Sequence, residues 1–146
     1  MTRRGTALVS AAGATRAASG GMLATALAVY VGRAGSPFAV SALSTALFLG
    51  VTVFTPLWGA LGDLTGRRRA LLVVASAGAT AAALGFLVVE GVWPTVVLRG
   101  VYAAFAVGVS PLLLSIAGAL AGEERRGRAA GAYSSAMAAG DVGAQL

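Results

Sequence analysis

The sequence predicts an all-α membrane protein of about five transmembrane helices, and three observations carry that prediction. First, of 146 residues, 58% are hydrophobic and only 11% charged, against roughly 25% charged in a typical soluble domain. The mean hydropathy is +0.84. Such a chain has too little polar surface to cover a water-exposed globule, and it is far too apolar for a disordered tail. Second, charges are absent from residues 34–62, 70–89 and 100–122. Each run reaches the ~20 residues that cross a ~30 Å hydrocarbon core. Third, the runs are rich in Ala and Leu and lack the period-two alternation of barrel strands. In lipid only helices and closed barrels satisfy every backbone polar group.

Two further apolar stretches are each interrupted once, residues 7–32 by Arg16 and residues 129–146 by Asp141. The expected helices are therefore 7–32, 38–61, 69–90, 94–120 and 127–146, which make residues 1–146 one incomplete transmembrane domain. Gly35-Ser36-Pro37 separates the first two, with Ser36 as the cap and Pro37 in the first turn. Glu90-Gly91-Val92-Trp93-Pro94 is a short turn before the fourth, and Trp93 suits an interfacial belt. Gly122 to Gly127 forms a charged turn before the fifth. The N-terminal stretch is expected to be a retained membrane helix rather than a removable signal peptide, because Arg16 falls where an uncharged core is required.

The residue inventory removes whole function classes. There is no Cys and no His, so thiolate chemistry, the commonest metal ligand and the commonest general base are missing. No nucleophile–base pair, phosphate loop or metal cluster is present, so neither an enzyme nor a cofactor or metal site is expected. The net charge of +6 comes from eleven arginines and no lysine. They lie in short clusters between apolar runs rather than along one basic face, so nucleic acid is not the expected partner. The lipid bilayer is.

Those clusters set the topology. With the N-terminus in the cytoplasm, Arg3, Arg4, Arg67, Arg68, Arg69, Arg125, Arg126 and Arg128 all lie inside, and Arg33 alone lies in an outer loop. This is the positive-inside bias of a multi-pass protein of the inner (plasma) membrane. Small residues recur every four positions at Gly13, Ala17 and Gly21, at Gly100, Ala104 and Gly108, and at Gly127, Gly131, Ser135, Ala139 and Gly143. An Ala- and Gly-rich chain produces some such stripes by chance, but three of them suit close helix packing in lipid. Similar stripes on the first and fourth helices also suit a three-plus-three helix repeat.

The most specific stretch runs from Gly59 through Gly62, Asp63 and Gly66 to Arg67, Arg68 and Arg69. Gly59 is read as ending a helix, Asp63 as a carboxylate offered to an arginine or a helix N-terminus, and Gly66 as the turn. An ordinary positive-inside loop would explain the arginines but not these spacings. The stretch resembles the loop between helices two and three of the major facilitator superfamily, with its G-x-x-x-D-x-x-G-R-R pattern. A second stretch is similar to the drug/proton antiporter branch of that superfamily: Arg99, then Pro111, then Glu124-Arg125-Arg126-Gly127-Arg128-Ala129. Tyr102 stands where that branch often has Gln, and Ala103 and Phe105 stand where it has glycines. The branch's Gly-Pro motif on the fifth helix would begin beyond Leu146.

The resemblance covers essentially the whole chain but only five of twelve helices, so it implies a partial N-terminal six-helix bundle whose remaining helices lie in the missing C-terminal part. It implies secondary active transport of a small molecule, coupled to protons, by alternating access. On that reading Gly59, Asp63, Gly66, Arg67 and Arg68 are the conformational gate. Within this chain the gate is expected to latch through Glu123 or Glu124 beside Arg67 or Arg68. Arg16, Arg99, Tyr102 and Asp141 are the proton-coupling or cavity residues.

A charge at mid-bilayer costs at least ~2.5–3.5 kcal/mol, so the intramembrane charges need partners or an exit. Arg99 either enters the cavity or snorkels to the outer surface. Glu90 is read as a solvated loop acid, and Tyr30, Tyr102 and Tyr133 line a cavity or anchor at the interface. Measured from the cytoplasmic ends, Asp141 lies ~20 Å up its helix, Arg16 ~14 Å and Arg99 ~30 Å. Asp141 is therefore expected to pair with Arg16 rather than Arg99, or to keep its proton and bond a backbone carbonyl. Two readings stand: a secondary transporter, which in this length does not transport alone, and a truncated, non-transporting membrane protein that packs with partner helices.

Overall fold

A computed structural model of the chain describes residues 3–121 and, beyond them, residues 127, 131, 134, 135 and 138. Every regular element among them is helical: α1 (Arg3–Ala34), α2 (Pro37–Thr65), α3 (Arg68–Gly85) and α4 (Val92–Ala121). The five positions beyond Ala121 are helical too, but the expected fifth helix as a whole lies outside the described residues. Two segments, Pro37–Thr65 and Val92–Ser115, are long and apolar enough to cross a membrane. In the α2 segment only 17% of the most apolar window is buried. Phe48, Leu49, Val53, Leu57, Leu61 and Leu64 all stand exposed along it. Water would penalise that surface heavily, whereas hydrocarbon does not.

The helix ends correct the expectations for all four helices. α2 does not end at Gly59 but runs four residues beyond 61, so Asp63 lies inside the helix. It stops at Gly66, whose φ of 63° is the left-handed conformation that glycine adopts freely, and whose N–H donates to the Gly62 carbonyl at 3.2 Å. α3 ends at Gly85 rather than 90. The N–H groups of Phe86, Leu87 and Val88 donate three residues back, to Ala83, Leu84 and Gly85. This tightens the last turn before Gly91 reverses the chain at φ 96°. α4 begins at Val92, so Trp93 and Pro94 belong to its first turn, where proline loses no helical hydrogen bond. α1 also extends four residues before 7 and two past 32. Ser36 does occupy the N-cap of α2 with Pro37 following, although its hydroxyl makes no capping bond.

The described residues form two compact units, one within Met1–Leu27 and Leu113–Leu146, the other Ala28–Leu112. In the first, Gly13 and Ala17 of the α1 stripe are buried. In the second, α4 is the central helix, and small residues decide its contacts. A Cβ on Gly50 would stand 2.7 Å from Ala103 Cβ and 3.0 Å from the Gly100 carbonyl. One on Gly62 would meet Leu112 at 3.6 Å. Position numbers rise together along this seam, so α2 and α4 run parallel. On the other seam Gly78 faces Phe105 and Gly85 faces Leu98, so α3 runs antiparallel to α4. Ala75 and Ala82 are buried on the same α3 face. Close backbone approach through small side chains is how helices associate where lipid supplies no hydrophobic drive.

Phe38 and Trp93 lie at the starts of α2 and α4 with ring centroids 6.0 Å apart. Both are exposed, and they sit at the end of the unit opposite the α2–α3 turn. An exposed aromatic pair at one end of an apolar bundle is an arrangement that suits an interfacial belt.

Candidate functional site

Two groups of predicted residues come together, both within Ala28–Leu112. The first is the α2–α3 turn. Gly59 is exposed with open space around it, so it serves neither as a terminator nor as a packing notch. Asp63 lies in the last turn and a half of α2, Gly66 is the left-handed cap, and Arg67 and Arg68 open α3. Asp63 Oδ1 accepts from Arg68 Nη2 at 3.5 Å, with both side chains well exposed. The turn is further held by Thr65, whose hydroxyl donates to the Leu61 carbonyl at 2.7 Å and accepts from the Arg67 N–H at 3.4 Å. The carboxylate therefore engages the arginine five residues on. The expected latch partners Glu123 and Glu124 lie outside the described residues.

The second group is on α4. Arg99 is only 4% exposed; it is buried and does not extend to the surface. Its guanidinium carbon lies 5.5 Å from the centroid of the Tyr102 ring. The two residues are one helical turn apart, and Tyr102 is itself buried. A desolvated guanidinium over an aromatic face gains a cation–π attraction that water would weaken. Arg99 Nη1 and, in α1, Arg16 Nε are both shielded from solvent, and each arginine has other contacts besides. Arg16 is half-buried. Asp141 lies outside the described residues, so its partner is open. Glu90 is exposed, as expected of a loop acid, and Tyr30 is exposed near the end of α1.

Sequence reasoning missed Trp58. Its indole Nε1–H donates to the Ala104 carbonyl at 2.7 Å in a buried setting, and its ring lies over Gly108. Phe105 packs against it at a tilt, with centroids 6.4 Å apart. The stripe Gly100, Ala104 and Gly108 was legible, and this is what it receives. The signal was Trp58 four residues before Gly62 and eight after Gly50, one line of an α2 face. Beside it an apolar cleft of about 510 Å³ is lined by Phe54, Trp58, Val97, Gly100, Val101, Ala104 and Phe105.

Exposed apolar helices, parallel and antiparallel seams of small residues, and a buried arginine within the bundle define a helical protein built for lipid. The sequence model of the Major Facilitator Superfamily matches residues 9–142, and the chain belongs to this family of membrane transporters. No curated protein and no solved structure gives a significant match.

Proposed function

We propose that the chain forms the first helices of a secondary active transporter that couples export or uptake of a small molecule to protons, by alternating access. The observation that carries this reading is the Asp63–Arg68 pair, 3.5 Å across a turn set by Gly66. An exposed pair of this kind is worth only ~0–1 kcal/mol. That is too little to hold a fold, but it shifts a conformational equilibrium up to about fivefold. It suits a gate that must open in every cycle. In this reading the turn is cytoplasmic, the N-terminus lies inside the plasma membrane, and Glu123 or Glu124 joins Arg67 as a second latch contact.

Coupling is assigned to the intramembrane charges. Asp141 exchanges its proton for Arg16, since an ionised acid at that depth needs a cation. Arg99 over Tyr102 supplies fixed positive charge to the cavity. The offsets from Arg99 to Pro111 and Glu124 support antiport, while Tyr102 in place of Gln sets this chain apart from the usual branch pattern. In the complete transporter, Asp63→Asn reduces transport with expression intact; unchanged transport removes the gate role. Proton-driven transport unaffected by Asp141→Asn removes the coupling role.

A second reading, a membrane protein that only packs with partner helices, is supported by the long exposed apolar face of α2. Flux by this chain alone in proteoliposomes separates them from a third possibility, that five helices suffice. Both readings above expect none.

A further inference from the structure

We propose that Trp58 is a positioning residue that locks the register of α2 against α4, so that the Asp63 turn and the Arg99–Tyr102 pair are held in one rigid unit. Much of the seam between these parallel helices sets small residues together: Gly50 lies against Gly100 and Ala103, and Gly62 leaves room for Leu112. Such surfaces attract but specify register weakly, because sliding by one turn sets one small residue against another. Ala46, Gly50, Gly100, Ala104 and Gly108 all recur at four-residue spacing. Trp58 breaks that degeneracy twice. Its N–H reaches the Ala104 carbonyl at 2.7 Å. Its ring fills the notch at Gly108, where a Cβ would stand 2.6 to 2.7 Å from Cδ2, Cε2 and Cγ of the indole. A slip by one turn would take the N–H away from this acceptor, and the next carbonyl along α4 comes within reach only where the ring meets a Cβ, in a medium with no water to replace the bond. It would also move the ring from Gly108 onto Ala104 or Leu112, each of which carries a Cβ.

The lock sits between the two groups it relates. Asp63 follows Trp58 by five residues on α2, and Arg99 precedes Ala104 by five on α4. The roles of those groups in transport rest on the reading above; the lock does not, and its test involves no transport.

The chain has no cysteine, so introduced pairs report alone. A Cβ on Gly100 would lie 3.9 Å from Ala46 Cβ, within the ~3.5–4.5 Å that a disulfide requires. Ala46→Cys with Gly100→Cys thus reads the native register, and Ala46→Cys with Ala104→Cys reads a slip of one turn. In membranes treated with oxidant, the native pair is expected to cross-link and the slipped pair to stay nearly silent. Adding Trp58→Phe, which keeps a ring but loses the donor, should raise the slipped cross-link roughly 3- to 20-fold, the factor matching an interhelical hydrogen bond in lipid. Gly108→Ala, which keeps the donor but evicts the ring, should do the same. A slipped cross-link that stays flat in both variants while the native pair still forms overturns the proposal. Should Trp58→Phe lose the native cross-link altogether, Gly108→Ala decides by the same reading. Loss of the native cross-link in both makes the site a general packing requirement, and likewise overturns the register lock.

Discussion

At Gly66 a single backbone angle decides where α2 stops. With φ at 63°, any side chain would meet the left-handed penalty of ~1 kcal/mol or more. Gly66→Ala is therefore expected to lower stability by about 1 kcal/mol, read as a lower midpoint of thermal unfolding in detergent. Open space surrounds the position, so an unchanged midpoint would mean the turn relaxes and the cap does not fix α2. Gly59 is the contrasting case. It lies mid-helix with nothing within 4 Å of a built Cβ, so Gly59→Ala should be neutral or gain up to about 1 kcal/mol through helix propensity. If transport by the complete protein nevertheless falls in Gly59→Ala, Gly59 faces something that approaches only during the cycle.

Between elements, the size of each notch ranks the glycines. Gly78 lies against the Phe105 ring so closely that a methyl group would collide with it, whereas Gly85 faces the flexible end of Leu98 at 3.1 Å. Gly78→Ala should cost more than Gly85→Ala, with overpacking of about 1–3 kcal/mol expected for the former. Equal midpoints for the two variants would show that α3 moves away from α4 without resistance. The helices themselves were legible because charges bracket apolar runs, and Ser36-Pro37 marks the α2 start. Their ends were less so. Gly59 looks like a terminator in sequence, but a helix in lipid carries glycine through its interior because there is no water to take up freed backbone groups. Phe86 to Val89 stay as apolar as the helix before them, and hydropathy does not distinguish a helix from a tight turn. The stripe on α4 could be read, yet its partner could not: spacing says which residues share a face, not which helix lies opposite. Trp58 therefore emerged only from the packing, while the Asp63, Gly66 and Arg68 constellation was visible as a motif.

At the scale of the molecule, Ala28–Leu112 is a lipid-embedded bundle whose charged α2–α3 turn lies at the opposite end from its aromatic-flanked α3–α4 turn. The chain belongs to the major facilitator superfamily over residues 9–142; in the proposed reading the first turn is a gate on the cytoplasmic side, the side that the positive-inside rule favours for its arginines. Two exposed positions test this directly, Leu64 near the end of α2 and Glu90 in the α3–α4 turn. With no native cysteine, Leu64→Cys and Glu90→Cys can each be labelled singly in intact cells with a membrane-impermeant maleimide. Glu90→Cys is expected to react from outside, and Leu64→Cys only after the membrane is permeabilised. Labelling of both from the same side, or of Leu64→Cys from outside, would contradict it.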